Sequence, residues 1–130
     1  MSPWISIPGA GVLVLGTLNL NGTDGEGNEV VLTRESQSSE NWLSIVFGGS
    51  GAGSFEHAMI AFGGMTLFGL NGNIVLRNSS MLTIMNSAIE DSANIGIALA
   101  DSASVVSSNP VTTGGNTFAR NTTDVSDLRL

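Results

Sequence analysis

With 130 residues the chain has room for one domain and a modest core. Only 12% of it is charged and 42% apolar, four basic residues face eleven acidic ones for a net charge of −7, and there is no cysteine. Disulfides and thiolate metal sites are therefore excluded, and Arg34, Arg77, Arg120 and Arg129 are too scattered to build the basic patch that nucleic acid requires. Acidity of this kind favours solubility in salty or extracellular settings, or attraction of cations. The 17 glycines, with many Ser, Thr and Asn and no Tyr, suit tight corners. Gly supplies positive φ, and Asn and Ser cap corner backbone groups with their side chains.

In chain order the apolar runs are short and alternate, as in strands with one buried face. Gly16-Thr17-Leu18 and Val30-Val31-Leu32 form the first coil, and Ile45-Val46-Phe47, Phe55 and Ala58-Met59-Ile60 the second. The third holds Thr66-Leu67-Phe68-Gly69-Leu70, Ile74-Val75-Leu76, Leu82-Thr83-Ile84 and Ser87-Ala88-Ile89. The last holds Ile95 to Leu99, Ala103-Ser104-Val105 and Asn116-Thr117-Phe118. Two series repeat at 29 residues: Val31, Ile60, Ile89 and Phe118, and Leu18, Phe47, Leu76 and Val105. A repeat of this length, built from short apolar runs between Gly, Asn and Ser, reads as a solenoid with one coil per repeat.

The predicted fold is all-β, a single-stranded right-handed parallel β-helix of four to five coils. It forms one domain over residues 1–130, either whole or as a piece of a longer β-helix. The two series are its interior columns, with Phe68 and Ile97 stacked on the remaining wall. Arg34 to Glu40 and Ser107 to Gly115 read as loops leaving the corners. Met1 to Pro8 lacks the basic and apolar regions of an export signal, and no apolar stretch approaches the ~20 residues that cross a bilayer.

Chemistry is sparse. The 29-residue register stacks Asp91 on Arg120, with Glu90 beside them and Phe62 below, which reads as a corner ion pair. Lyase chemistry on calcium needs converging acids, and glycoside hydrolysis needs two carboxylates across one cleft; no column supplies either. The only histidine, His57, neighbours Glu56 and shares a corner position with Asn86. Asn78, Asn86, Asn116 and Asn121 fall at corners, where their amides would bond to backbone. The stretch Asp24 to Glu29 alternates oxygen ligands with Gly, so it admits a calcium reading beside that of a solvated loop. Trp4 and Trp42 are the aromatics large enough to stack on a sugar ring, although Trp42 also suits a coil corner. Thr17, Thr66, Thr83 and Thr117 do not share a column, which argues against an ice-binding face.

Three segments carry a family resemblance: GTLNLNGTDGEGNEVVLT, NWLSIVF and SFEHAMIAFGG. They resemble the right-handed parallel β-helix proteins of the pectate-lyase-like superfamily, and more narrowly its exported bacterial and archaeal repeat proteins. MLTIMNSAIEDSANIGIAL with GGNTFARN is similar to β-helix repeats of the periplasmic copper-site maturation and sugar-hydrolase type. The start Ser2-Pro3-Trp4-Ile5 resembles the opening of such a domain, and the likeness covers most of residues 2–125. It implies an extracellular or cell-surface setting and a polysaccharide as partner. Family members usually run to eight or more coils with the first one covered; here about half that number is expected. An uncovered terminal coil is an open sheet edge that invites self-association.

These features support a non-catalytic exported structural or binding module, at a cell surface or self-assembling through its coil ends. The alternative is a carbohydrate-active or carbohydrate-binding domain, or a fragment of one. Candidate carbohydrate-binding residues are Trp42, Glu90, Asp91 and Arg120. No catalytic residue and no cofactor is assigned, calcium being the one alternative. Neither nucleic acid nor a membrane span is expected.

Overall fold

The computed structural model describes residues 4–5, 11–25, 27–34, 40–42, 44–65, 71–105 and 115–129. The strands are Trp4–Ile5 (β1), Val12–Val14 (β2), Thr17–Asn21 (β3), Val30–Leu32 (β4), Ile45–Phe47 (β5), Ala52–Glu56 (β6) and Ala58–Ala61 (β7). Gly72–Leu76 (β8), Met81–Met85 (β9), Ala88–Glu90 (β10), Ile95–Leu99 (β11), Ser104–Val105 (β12), Thr117–Ala119 (β13) and Thr123–Asp127 (β14) follow. The chain visits three parallel sheets in rotation. Sheet A is ordered β1-β4-β7-β10-β13, sheet B β14-β11-β8-β5-β2, and sheet C β12-β9-β6-β3.

Every pairing is parallel and joins strands one turn apart, so the molecule is an all-β parallel solenoid. It makes about three full turns rather than four to five.

Inside, like side chains stack. Leu32, Ile60, Ile89 and Phe118 form the column of sheet A. Val14, Phe47, Leu76 and Leu99 form one of sheet B. Leu20, Phe55 and Ile84 form one of sheet C. Ile45, Phe47, Ile60, Leu76, Ile84, Ile89 and Ile97 have no exposed surface at all. Each such side chain contributes about 2 kcal/mol by leaving water. Gly53 opens the interior of sheet C: a Cβ there would lie 2.7 Å from the Phe47 ring. The space it leaves lets Phe47 and Phe55 meet with ring centroids 6.0 Å apart.

The two expected columns need correction at three positions. Val31 pairs with Met59, and it is Leu32 that stacks beneath Ile60. Leu18 pairs with Gly53, not Phe47, and Val105 pairs with Leu82, not Leu76. Ile97 stacks on Ile74; Phe68, its expected partner, lies outside the described residues. The coils differ in length, so a uniform 29-residue step misplaces strands next to a longer or shorter turn. Of the expected loops, residues 35–39 and 106–114 also lie outside the described residues.

The corners show the repeat most sharply. At each of the three corners, successive turns place a residue in the left-handed region at the same position, and these residues stack. His57 (φ 48°), Asn86 (49°) and Gly115 (70°) lie between sheets C and A. Phe62 (61°), Asp91 (54°) and Arg120 (55°) lie between A and B. Gly49, Asn78 and Asp101, each at 57°, lie between B and C. Asn and Asp tolerate this region, whereas Phe62 and Arg120 occupy it at a cost of about 1–2 kcal/mol each.

Side chains then lock one turn to the next. Ala58 donates its N–H to Ser87 Oγ at 3.2 Å, and Ser87 donates its own to Asn116 Oδ1 at 3.0 Å. Ser92 donates to Asn121 Oδ1 at 3.0 Å, and Gly49 to Asn78 Oδ1 at 3.1 Å. Asn73, fully buried, takes the Gly63 N–H at 2.7 Å and donates to the carbonyls of Ile60 and Glu90 at 3.0 and 2.9 Å. The corner amides of Asn78, Asn116 and Asn121 thus bond to backbone, as their positions in the repeat imply.

Candidate functional site

Two surface features combine polar groups from several turns. The first is a ridge at the A-to-B corner, where equal coil lengths bring Glu90, Asp91 and Arg120 together. Arg120 grips Asp91 with two nitrogens, Nε to Oδ1 at 2.5 Å and Nη2 to Oδ2 at 2.9 Å. The same guanidinium stands 3.4 Å from Glu90 Oε1. One turn below, the Arg34 guanidinium lies over the Phe62 ring, 4.0 Å from its centroid. Its Nη1 donates to Asn41 Oδ1 at 3.1 Å, and the Asn41 amide donates to the Gly63 carbonyl at 2.9 Å. The ridge is thus a ladder of cation, aromatic ring, carboxylates and cation along the solenoid axis.

The Arg120 hydrogen bond, with the charges of Arg120 and Arg34, holds the Asp91 carboxyl below the usual carboxylate range against the opposing effect of burial. The same bond raises Arg120. A second pair, Asp127 with Arg129, lowers the Asp127 carboxyl from 3.8 to about 2 through the Arg129 side-chain and backbone hydrogen bonds. Both acids are more acidic folded than unfolded. The stabilising effect of Asp127 is therefore complete above pH ~4 and is lost as pH falls from there toward about 2, and that of Asp91 is likewise lost on acidification. Acid titration followed by circular dichroism should show unfolding in that window, and Arg129→Gln should move its onset upward. An onset unchanged by Arg129→Gln would disprove the coupling.

Trp42 lies apart from the charged trio. Its ring is 7% exposed within the interior cluster, and its indole N–H donates to the Ala61 carbonyl at 2.7 Å. Burial leaves no open face for a sugar ring, which corrects the expectation of Trp42 as a surface stacking platform. The ring supports the A-to-B corner instead, packing beside Gly63.

The second feature is an open trough of about 220 Å³ at the C-to-A corner, on the outer face of sheet A. Met59, Ala88 and Thr117, paired across β7, β10 and β13, make its floor. The corner column of His57, Asn86 and Gly115 makes one wall, and the loop bearing Asp24 and Glu29 the other. Gly22 brings that loop in: its N–H bonds the Glu56 carbonyl at 2.8 Å, and a Cβ on it would meet the His57 carbonyl oxygen. The loop closes on itself, with Asn28 N–H to Gly25 O at 3.1 Å and the Asn28 amide to Asp24 O at 3.1 Å. Glu26, part of the calcium reading, lies outside the described residues. Among the described residues no three His, Cys, Asp or Glu converge on a metal position. His57 Nε2 stands 4.0 Å from Glu56 Oε1.

The ridge was readable as a pair, because Asp91 and Arg120 are separated by one regular turn. The trough was not: its loop wall comes from an irregular excursion between β3 and β4, which no period foresees. The alternation of Val31, Met59, Ala88 and Thr117 with the interior residues was the available signal for its floor. Among the described residues no helix is long and apolar enough to cross a membrane. A scan against protein-family models, a search of curated proteins and a search of solved structures each found no match.

Proposed function

We propose that the chain is a non-catalytic structural and binding module of the exported kind, a rigid solenoid displayed at a cell surface or joined to others through its coil ends. The observation that carries this reading is where the charges go. Asp91 with Arg120 and Arg77 with Asp101 pair from one turn to the next at the corners, Asp101 also takes the Asn78 backbone N–H at 2.9 Å, and Arg129 pairs with Asp127 while reaching the Ala103 carbonyl. Charge here serves to hold turns together. The trough adds a binding surface whose hydroxyl, amide and carboxylate groups suit a hydroxyl-rich ligand such as one residue of a polysaccharide.

A second reading, a carbohydrate-active domain, draws on Glu90, Asp91 and Arg120 standing together at the edge of sheet A. Incubation with a polysaccharide panel separates the two. The scaffold reading expects no new reducing ends and no unsaturated products, with any glycan-array signal reduced by Asn86→Ala. Product formation that disappears in Glu90→Gln would overturn it in favour of the enzyme.

A further inference from the structure

The two ends of the solenoid are unlike. At the last turn, Asp127 takes the register position that Phe47, Leu76 and Leu99 fill below it. Arg129 clasps that carboxylate at 2.6 and 2.8 Å and reaches the Ala103 carbonyl with Nη1 at 2.9 Å. An ion pair therefore lies across the end of an apolar column. A charge at an inward position is a known means of blocking strand addition at a sheet edge.

Among the described residues the first turn carries no such device. From Gly11 to Asn21 there is no charged residue. Val12, Leu13 and Leu15 are 41%, 56% and 62% exposed, in contrast to the fully buried residues stacked above them. Among the described residues β2 pairs only with β5. Val12 donates its N–H to Ser44 O at 2.9 Å and Val14 O accepts from Gly48 at 3.0 Å, both toward the β5 side. Alternate residues of a parallel strand bond to opposite neighbours, so the N–H and C=O of Leu13 point away from β5, to a side where no described strand pairs with β2.

We propose that the chain forms a closed two-fold dimer, head to head, with β2 of one copy lying antiparallel against β2 of a second. The inference rests on the scaffold reading and names its partner. A two-fold axis near Leu13 sets the Leu13 N–H and C=O of each copy opposite those of the other, forming two hydrogen bonds. The patch is uncharged, so two chains of net charge −7 meet where neither carries charge. Head-to-tail growth is disfavoured, because it would bury the Asp127–Arg129 pair beneath Val14 of the next copy.

Sedimentation equilibrium over a wide concentration range should show mass rising to twice 13.3 kDa and stopping there. The wild-type chain has no cysteine, so a Leu13→Cys chain should oxidise to a covalent dimer on its own, the Cα separation of ~5.5 Å in such a pair suiting a disulfide. Leu13→Lys with Leu15→Lys should give a monomer with an unchanged circular dichroism spectrum, since both side chains are exposed. The double variant Asp127→Leu/Arg129→Leu should assemble beyond the dimer. A monomer at every concentration, rods formed by the wild-type chain, or failure of Leu13→Cys to cross-link would overturn the proposal. Turnover of a polysaccharide would remove the scaffold reading while leaving these mass measurements intact, so the two failures are distinguishable.

Discussion

Replacing Ile89 by Asp should unfold the protein at room temperature. Ile89 has no exposed surface and sits in sheet A between Ile60 below and Phe118 above. The substitution loses the packing of a large side chain, about 2–5 kcal/mol, and puts a carboxylate where no described donor faces the column. Together these rival the roughly 5–15 kcal/mol that hold most domains folded. Ile89→Val is the control and should cost only about 0.5–1.5 kcal/mol, because it removes a single methylene. Far-UV circular dichroism and a thermal melt read both. An Ile89→Asp chain with its strand signal retained and its melting temperature unchanged would mean that the sheet A column is wrongly drawn.

The stack at Ile89 was legible in the sequence because the turns on both sides of it have equal length. Ile60, Ile89 and Phe118 follow one another at 29 residues and do lie in one column, as do Phe47 and Leu76. The corner residues Phe62, Asp91 and Arg120 obey the same step, which is why an ion pair between two of them could be expected from spacing alone. Elsewhere the step changes. The turn from Leu32 to Ile60 has 28 residues, and that single residue was enough to put Val31 on the wrong face. From Leu76 to Leu99 the step is 23, so Val105 moved to another sheet. A solenoid tolerates such changes because a turn can add or lose residues at a corner without disturbing the strands it connects. Period counting reads the strands but not the excursions. Both the loop wall of the trough, with Asp24 and Glu29, and the contact of Arg34 with Asn41 on the ridge belong to excursions. Asn73 escaped for another reason. It lies inside a strand next to Ile74, where a polar residue reads as the exposed member of an alternating pair, yet it is fully buried.

That position carries the second large effect. Asn73→Leu preserves volume but should cost about 3–5 kcal/mol, since one amide satisfies three backbone groups from two successive turns. The Gly63 N–H, the Ile60 carbonyl and the Glu90 carbonyl all bond to it. The Glu90 carbonyl keeps the Phe62 N–H at 3.3 Å, so the Gly63 N–H bears the largest loss, a buried group left unpartnered costing about 1–3 kcal/mol. Asn73→Asp should be nearly as harmful, because a carboxylate keeps the Gly63 acceptor while turning an oxygen toward two carbonyls. The damage should be local before it is global. Gly63 lies under the ridge, where Asn41 holds its carbonyl and Trp42 packs beside it. Loss of Asn73 therefore frees the corner that positions Phe62 and Asp91. Hydrogen exchange should show the Gly63 amide losing protection in Asn73→Leu, while amides of β6 and β9 in sheet C keep theirs until the whole chain melts. Equal protection at Gly63 in both proteins, together with an unshifted melting temperature, would show that the three hydrogen bonds contribute nothing to joining the turns.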